Sequence, residues 1–214
     1  MTTLIFVRHG QSVSNLERRF TGQGDTPLTE LGLLQAQCTA DFLKDRHIDQ
    51  IYASDLLRAM QTAEPTARMH GLEITPNASF REINAGKWEG MIYDDILKQF
   101  PESFLRWKND VGHAQPDGGE AVLDLAKRVY AETQRILCAD RGKTVAIFTH
   151  ATPLRMMGSL WHGIAPEDAS KVPFCGNASV SIVEYEDDGR FRVVLYGYDR
   201  HQGKNATYLP QKDV

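Results

Sequence analysis

Two stretches of this sequence end a run of large apolar residues on a histidine. Leu4-Ile5-Phe6-Val7 passes directly into Arg8-His9-Gly10, and Val145-Ala146-Ile147-Phe148 passes into Thr149-His150. An imidazole beside a guanidinium sets a nucleophile or proton carrier next to a fixed cation, a combination suited to group transfer at an anionic centre. Either histidine alone would be a capping or hydrogen-bonding residue about as often as a functional one. The pair, with arginines near both, is harder to explain as structure alone. Further along, Arg58 and Glu82 add a second forked cation and a carboxyl group, which completes the parts phosphoryl transfer needs: nucleophile, cations around the equatorial oxygens, and an acid for the leaving alkoxide.

These side chains require elements that bring them to one place. Four consecutive apolar residues read as a strand buried on both faces, and ligands of open α/β sheets bind outside the carboxyl ends of such strands. Gln11 to Thr26 is polar and glycine-rich and reads as a long loop at that mouth. Thr29 is the expected N-cap of the next helix, with Leu31, Leu34, Cys38 and Phe42 as its buried face. Ile48 to Ser54 reads as a second strand, followed by a helix capped by Ser54 or Asp55 with Arg58 in its first turn. A cation there opposes the helix dipole and becomes productive if an anion lies between it and the helix N-terminus. Leu72 to Thr75 reads as a short edge strand.

Two glutamates follow, of which Glu82 fits a partly desolvated general acid and Glu89, between Trp88 and Gly90, a structural role. Tyr93 to Phe100 and Ser103 to Asn109 read as short helices around Pro101, offering Phe100, Phe104 and Trp107 as pocket lining or core anchors. Asp117 to Glu120 is expected to open a long helix that buries Val122, Leu125, Val129 and Ile136. Thr152-Pro153 is expected to cap and start the helix after His150, placing that histidine beside free backbone N–H groups. Asp187-Asp188-Gly189 marks a hairpin between Ser179–Tyr185 and Phe191–Tyr198, at least one of them antiparallel. The last dozen residues read as frayed.

The 214 residues, 42% of them hydrophobic, suit one α/β domain over 1–214, with a substrate-lining cap at about 84–119. A formal charge of −4 with mixed signs gives no basic footprint for nucleic acid. Cys38, Cys138 and Cys175 are an odd number without metal-ligand spacing, which fits a reduced compartment. No apolar run approaches the roughly 20 residues a membrane helix needs. The chain enters its first strand without an export leader, so a cytoplasmic protein is expected.

Arg8-His9-Gly10, the strand ending in His150, the run Ser54-x-Leu56-x-Arg58-Ala59-x-Gln61-Thr62-Ala63, and Arg81-Glu82-x-x-x-Gly86-x-Trp88-Glu89-Gly90 resemble the histidine phosphatase superfamily, the phosphoglycerate mutase-like proteins. The resemblance implies a three-layer α/β/α sandwich with a mainly parallel sheet. It implies that His9 takes up the phosphoryl group, that Arg8 and Arg58 bind phosphate with protonated His150 as a further donor, and that Glu82 is general acid and base. Asn15, Thr21 and Gly22 match further phosphate-contacting positions, as does the backbone N–H of Ala151. The family usually has glycine at position 151; alanine there is harmless in an ordinary helix entry and costs about 1 kcal/mol or more if φ must be positive.

The expected activity is that of a metal-independent phosphatase with no cofactor, acting on a small phosphomonoester. A homodimer is compatible with this reading. The alternatives are a cofactor-dependent phosphoglycerate mutase and a non-catalytic phosphate-binding module. The first would need extra cations near the mouth, where residues 91 to 119 offer only Lys98, Arg106 and Lys108; the second would not need His9 or Glu82.

Overall fold

The computed structural model describes residues 1–207. Six strands form one sheet in the order β3-β2-β4-β1-β5-β6. They are β1 (Thr2–Arg8), β2 (Gln50–Ala53), β3 (Ile74–Pro76), β4 (Thr144–Thr149), β5 (Val180–Tyr185) and β6 (Phe191–Tyr198). The first four pair in parallel, while β5 and β6 join antiparallel at one side. The helices are α1 (Val13–Leu16), α2 (Glu30–Leu43), α3 (Leu57–His70), α4 (Tyr93–Gln99), α5 (Pro101–Asn109), α6 (Val122–Ala139) and α7 (Ala151–Trp161).

Alternation along the strands builds two apolar layers. Leu4, Phe6, Val145 and Ile147 pack with Leu125, Val129 and Ile136 of α6 and Leu154, Met157 and Trp161 of α7. Ile5, Val7, Ala146 and Phe148 face the other way, onto Leu43 of α2 and Ala63 and Ala67 of α3. The result is the expected α/β/α sandwich, because strands buried on both faces require a helical layer on each. The chain leaves β1 toward α2 on one face and β4 toward α7 on the other, so the crevice between these neighbours is a topological switch point.

Four local expectations are corrected. Helix α2 is capped by Thr29 as expected, but it buries Gly32, Gln35, Ala36, Thr39, Ala40 and Leu43, and Leu34 is 55% exposed. Small residues win that face because a Cβ on Gly10 would stand 2.6 Å from the Gly32 carbonyl oxygen, and one on Gly32 2.1 Å from that of Gln11. The loop after β1 thus rests on the α2 backbone. Helix α3 begins at Leu57 with no side-chain cap; Ser54 and Asp55 are engaged elsewhere, and Asp25 from the loop accepts the Leu57 N–H at 2.7 Å. Helix α6 starts at Val122, later than Asp117, with the expected apolar face buried. His150, not Thr152, occupies the N-cap of α7, and Pro153 lies in its first turn, where a missing N–H is tolerated.

Of the twelve terminal residues, Asn205 and Thr207 are tied down: the Gln35 amide donates to the Asn205 carbonyl at 2.7 Å and to the Thr207 hydroxyl at 3.2 Å. Residues 208–214 lie outside the described part. The three cysteines are free thiols. Among the described residues no helix is long and apolar enough to cross a membrane.

Candidate active site

The β1–β4 register pairs Arg8 with Thr149, so the next residues, His9 and His150, emerge side by side. Their ring centroids are 5.1 Å apart at 58°. Both are buried, as are Arg8, Arg58 and Glu82, the last retaining 8% exposure. The Nδ1 of His9 lies 2.7 Å from the Gly10 carbonyl oxygen. A carbonyl only accepts, so Nδ1 carries the proton and the Nε2 lone pair is free. His150 is bound through Nε2 to the Ser54 hydroxyl at 2.8 Å, while its buried Nδ1 has no partner among the described residues.

The arginines are fixed by carbonyl groups, not by carboxylates. Arg8 Nη1 donates to Cys175 O at 2.7 Å, and its buried Nε has no partner among the described residues. Arg58 reaches out of the first turn of α3 and donates to the carbonyls of Gly22 at 2.8 Å and Gly24 at 2.9 Å. That loop is itself shaped by Glu89, whose carboxylate accepts N–H bonds from Gly22, Gln23, Gly24 and Ala85 at 2.8–3.2 Å. Gly22 is glycine for want of room: a Cβ would meet Glu89 Oε1 and Ile83 O at 2.4 Å. The Glu82 carboxylate accepts from the N–H of Ile83 at 2.8 Å and of Thr152 at 3.2 Å, which sets it at the α7 N-terminus. Asn15 accepts through Oδ1 from the N–H of Ser12 and the amide of Asn177, so its own amide NH2 remains for the cleft.

Arg8, His9, Asn15, Thr21, Arg58, Glu82 and Ala151 line one cleft that opens to solvent. Two expected residues do not line it. Gly22 spends its N–H on Glu89 and its carbonyl on Arg58; His150 is fully buried, its ring centroid 5.1 Å from that of His9. Ala151 enters α7 without a positive φ, so the missing glycine costs nothing there.

Burial, with Glu82 pulling the other way, brings Arg8 and Arg58 each down to about 10, still charged at neutral pH. Burial and then the Arg58 charge hold both His9 and His150 well below the ordinary imidazole value. The expectation of a protonated His150 runs against this direction: as the residues stand, burial and the neighbouring cations disfavour the charged form of both rings. If the Ser54 hydroxyl donates to its Nε2, the neutral ring still offers an Nδ1–H.

Several lining residues carried no signal that the sequence reading used. Phe20 and Tyr93 are two of them, and they join the expected Trp107 in an outer aromatic group, with Phe20 and Trp107 centroids 5.0 Å apart. Arg155 and Phe174 form another, the Arg155 guanidinium carbon 5.4 Å from the Phe174 ring centroid. Arg155 could have been found by helical spacing, since it lies four residues after Ala151 on α7; Phe174 sits in an irregular segment with no period to follow. Of the aromatics expected from the cap, Phe104 is core, Phe100 packs against the core, and Trp107 lines the cleft. Among the described residues no group of three or more His, Cys, Asp or Glu side chains gathers as a metal ion would require.

This site, at the switch point of this sheet, agrees with a match of residues 4–199 to the histidine phosphatase superfamily (branch 1), and the chain belongs to that superfamily. The enzyme class expected from the sequence, a phosphatase, stands on that membership and on its relatives. Phosphoserine phosphatase 1 of Hydrogenobacter thermophilus is 34% identical over 197 residues, 91% of each chain. Phosphoglycerate mutase-like protein 4 of Arabidopsis thaliana is 31% identical over 201 residues, 92% of this chain and 86% of that one. Bacillus stearothermophilus YhfR superposes with a TM-score of 0.90 at 31% identity, covering 94% of this chain and 99% of its own. A mycobacterial glucosyl-3-phosphoglycerate phosphatase in complex with VO3 gives 0.84 at 28% identity, covering 92% and 98%.

Proposed function

We propose that this protein hydrolyses small phosphomonoesters through a phosphohistidine on His9, without a metal. The observation that carries this reading is the tautomer of His9: with Nδ1–H donated to the Gly10 carbonyl, the free Nε2 lone pair shares a cleft with Arg8 and Arg58. In the first step Nε2 attacks phosphorus, an N–P bond forms, the ester P–O bond breaks, and Glu82 gives a proton to the leaving oxygen. In the second step Glu82 takes a proton from water, whose oxygen attacks phosphorus and releases phosphate and the His9 ring. Arg8 and Arg58 hold the equatorial oxygens with forked donors, and their positive charge does the work a metal does elsewhere. Asn15, the Ala151 N–H and His150 add neutral donors.

Hydrolysis is favoured over mutase chemistry because the cap contributes Tyr93 and Trp107 to the cleft, whereas Lys98, Arg106 and Lys108 are not among its lining. The names of the relatives support a phosphatase and leave the substrate open, since they include phosphoserine and glucosyl-3-phosphoglycerate phosphatases. The test is release of phosphate from para-nitrophenyl phosphate, undiminished by EDTA, with an acid-labile, base-stable adduct that disappears in His9→Ala. An adduct that persists in His9→Ala assigns the nucleophile elsewhere. Interconversion of phosphoglycerates that outruns phosphate release by orders of magnitude, with a trace of 2,3-bisphosphoglycerate present, replaces the hydrolase reading with the mutase.

A further inference from the structure

Arg128 of α6 has all five of its N–H donors engaged. Nε donates to Glu120 Oε1 at 2.7 Å, and Nη2 donates to Glu120 Oε2 at 2.9 Å and to the Glu82 carbonyl at 3.0 Å. Nη1 donates to the carbonyls of Ser79 and Arg81, at 2.8 and 2.9 Å. The chain from 79 to 82 therefore curls around one guanidinium group, onto which three of its four carbonyls turn. The fourth, that of Phe80, accepts from the Thr149 hydroxyl at 2.9 Å. Carbonyl dipoles aimed at one point repel one another unless a cation stands there.

The peptide between Glu82 and Ile83 ties this cage to the cleft. Its carbonyl accepts from Arg128 and, at 3.2 Å, from the Gln23 amide, while its N–H donates at 2.8 Å to the carboxylate of Glu82 itself. The two ends of a planar peptide point in opposite directions, so holding the carbonyl fixes the N–H. Rotation of that peptide would take the N–H away from the carboxylate and turn a carbonyl oxygen toward it. Glu120 steadies the following residue: its carboxylate accepts the Asn84 N–H at 3.2 Å, and its own N–H donates to the Asn84 carbonyl at 2.9 Å. Arg128 is not part of the cleft lining and has no donor left for a ligand, so it acts on the site only through Glu82.

Resting on the reading of Glu82 as the proton carrier, we propose that Arg128, paired with Glu120, is a positioning residue for Glu82: it locks the Glu82–Ile83 peptide and so keeps the carboxylate where a leaving oxygen is protonated. Stability alone is a weak reason for the pair. The side chains of Arg128 and Glu120 are 24% and 18% exposed, and an ion pair drawn that far out of water stabilises a fold no better than apolar residues of the same volume. What a fork of five directed donors adds is orientation. Lysine keeps the charge but cannot span three carbonyls and a carboxylate together. A cation on the carbonyl also polarises the peptide, which strengthens the N–H bond to Glu82 at its other end.

The test measures kcat/KM for benzyl phosphate and para-nitrophenyl phosphate, a poor and a good leaving group on similar rings, in the wild type, Arg128→Ala, Arg128→Lys and Glu82→Gln. This parameter reports transfer to the enzyme and departure of the alcohol, the step in which Glu82 gives its proton. In Arg128→Ala the ratio of benzyl to para-nitrophenyl ester should fall by about ten- to hundredfold, in the same direction as in Glu82→Gln. Inhibition by inorganic phosphate should stay within about twofold of the wild type, because Arg8 and Arg58 are untouched. Arg128→Lys should recover part of the ratio, as should guanidinium ion added to Arg128→Ala well below denaturing concentrations. Equal losses for the two esters in Arg128→Ala, while Glu82→Gln discriminates between them, overturn the positioning role. Phosphate inhibition weakened as much as turnover overturns it as well. Equal losses in Glu82→Gln itself, or no hydrolysis by the wild type, defeat the reading of Glu82 as acid by themselves. The lock is then read from hydrogen exchange at the Ile83 amide. Exchange about tenfold faster in Arg128→Ala, with β1 and β4 as protected as before, supports it, and unchanged exchange overturns it. Should Arg128→Ala fail to fold, Arg128→Lys and Glu120→Gln carry the same comparisons, each with a smaller fall in the ratio.

Discussion

His9 and His150 stand side by side, but their nitrogens are committed differently. His9 donates its Nδ1–H to its own neighbour's carbonyl and leaves Nε2 free, whereas His150 binds Ser54 through Nε2 and leaves a buried Nδ1 without a partner among the described residues. In the proposed reaction the first ring attacks and the second donates. Glu82, held by two backbone N–H groups, is the residue to which the proposed reaction assigns the proton transfers. Replacing it by glutamine should lower turnover by about 10²- to 10⁴-fold for alkyl phosphates and far less for para-nitrophenyl phosphate, whose leaving group needs little protonation. Equal losses for the two substrates would remove Glu82 from the role of acid. At this scale the sequence was readable because the chemistry is carried by residue type: an imidazole, two guanidinium groups and a carboxyl group have few other reasons to end strands and begin helices. Arg155 escaped because arginine on a helix is ordinarily a solvated residue; its place one turn beyond Ala151 was the signal left unused.

The elements supply positions that no single residue has. The loop holding Gly22 and Gly24 presents carbonyls to Arg58 only because Glu89 gathers the N–H groups on its other side. Glu89→Ala should release that loop, weaken competitive inhibition by inorganic phosphate by about tenfold, and cost on the order of 1–3 kcal/mol of stability through the unpaired donors. Unchanged phosphate inhibition would show that Arg58 is placed without the loop. On the far side of His9, the Ala178 N–H and the Asn177 amide both donate to the His9 carbonyl, at 3.1 and 3.2 Å, from a turn in which Ala178 has φ of +52°. Ala178→Gly removes a left-handed non-glycine residue and should raise stability by up to about 1 kcal/mol in urea unfolding; a loss instead would mean that the alanine methyl packs well enough to offset the strain. Glu89 was legible as structural from its place between Trp88 and Gly90. The turn at Ala178 was not, because alanine carries none of the signals that mark a positive φ.

The molecule as a whole buries two imidazoles whose charged form that burial disfavours, and this ties its stability to pH. For His9 and His150 the folded-state pKa lies below the unfolded value near 6.5, so above that pH both states hold neutral rings and no penalty arises. As pH falls below it, the unfolded chain takes up protons that the folded chain does not. Each histidine then removes about 1.4 kcal/mol of stability per pH unit until its folded pKa is reached. His201, lowered by burial, adds to the loss; His113, raised by Asp110 at the surface, acts the other way under solvent screening. The lowered aspartates Asp49 and Asp55 titrate only in more acid solution, so the fall between pH 6.5 and 5 belongs to the histidines. Thermal melting should show a clear drop from pH 7.5 to 5.5, reduced in His150→Asn and reduced by saturating inorganic phosphate, whose negative charge offsets Arg8 and Arg58. A midpoint constant across that range would contradict buried neutral rings.

The sandwich came with the family resemblance, whereas the sequence by itself determined the strand ends that carry Arg8, His9 and His150, the first-turn place of Arg58, and the buried face of α6. Each depends on local pattern: an apolar run that needs cover on both faces, a polar break that ends it, or a repeat of 3.6. Tertiary structure decided the rest. It chose small residues for the buried face of α2, because the loop after β1 needed the α2 backbone within contact distance. It gave Ser54 to His150 and Asp55 to Arg81 and left the start of α3 to Asp25 from another loop. It set Arg155 against Phe174 and the cleft, although the two are 19 residues apart and share no motif. Pairing across such distances is fixed by how strands and helices close on one another, and a one-dimensional pattern holds no record of which free donor will find an acceptor and which will be kept for a ligand.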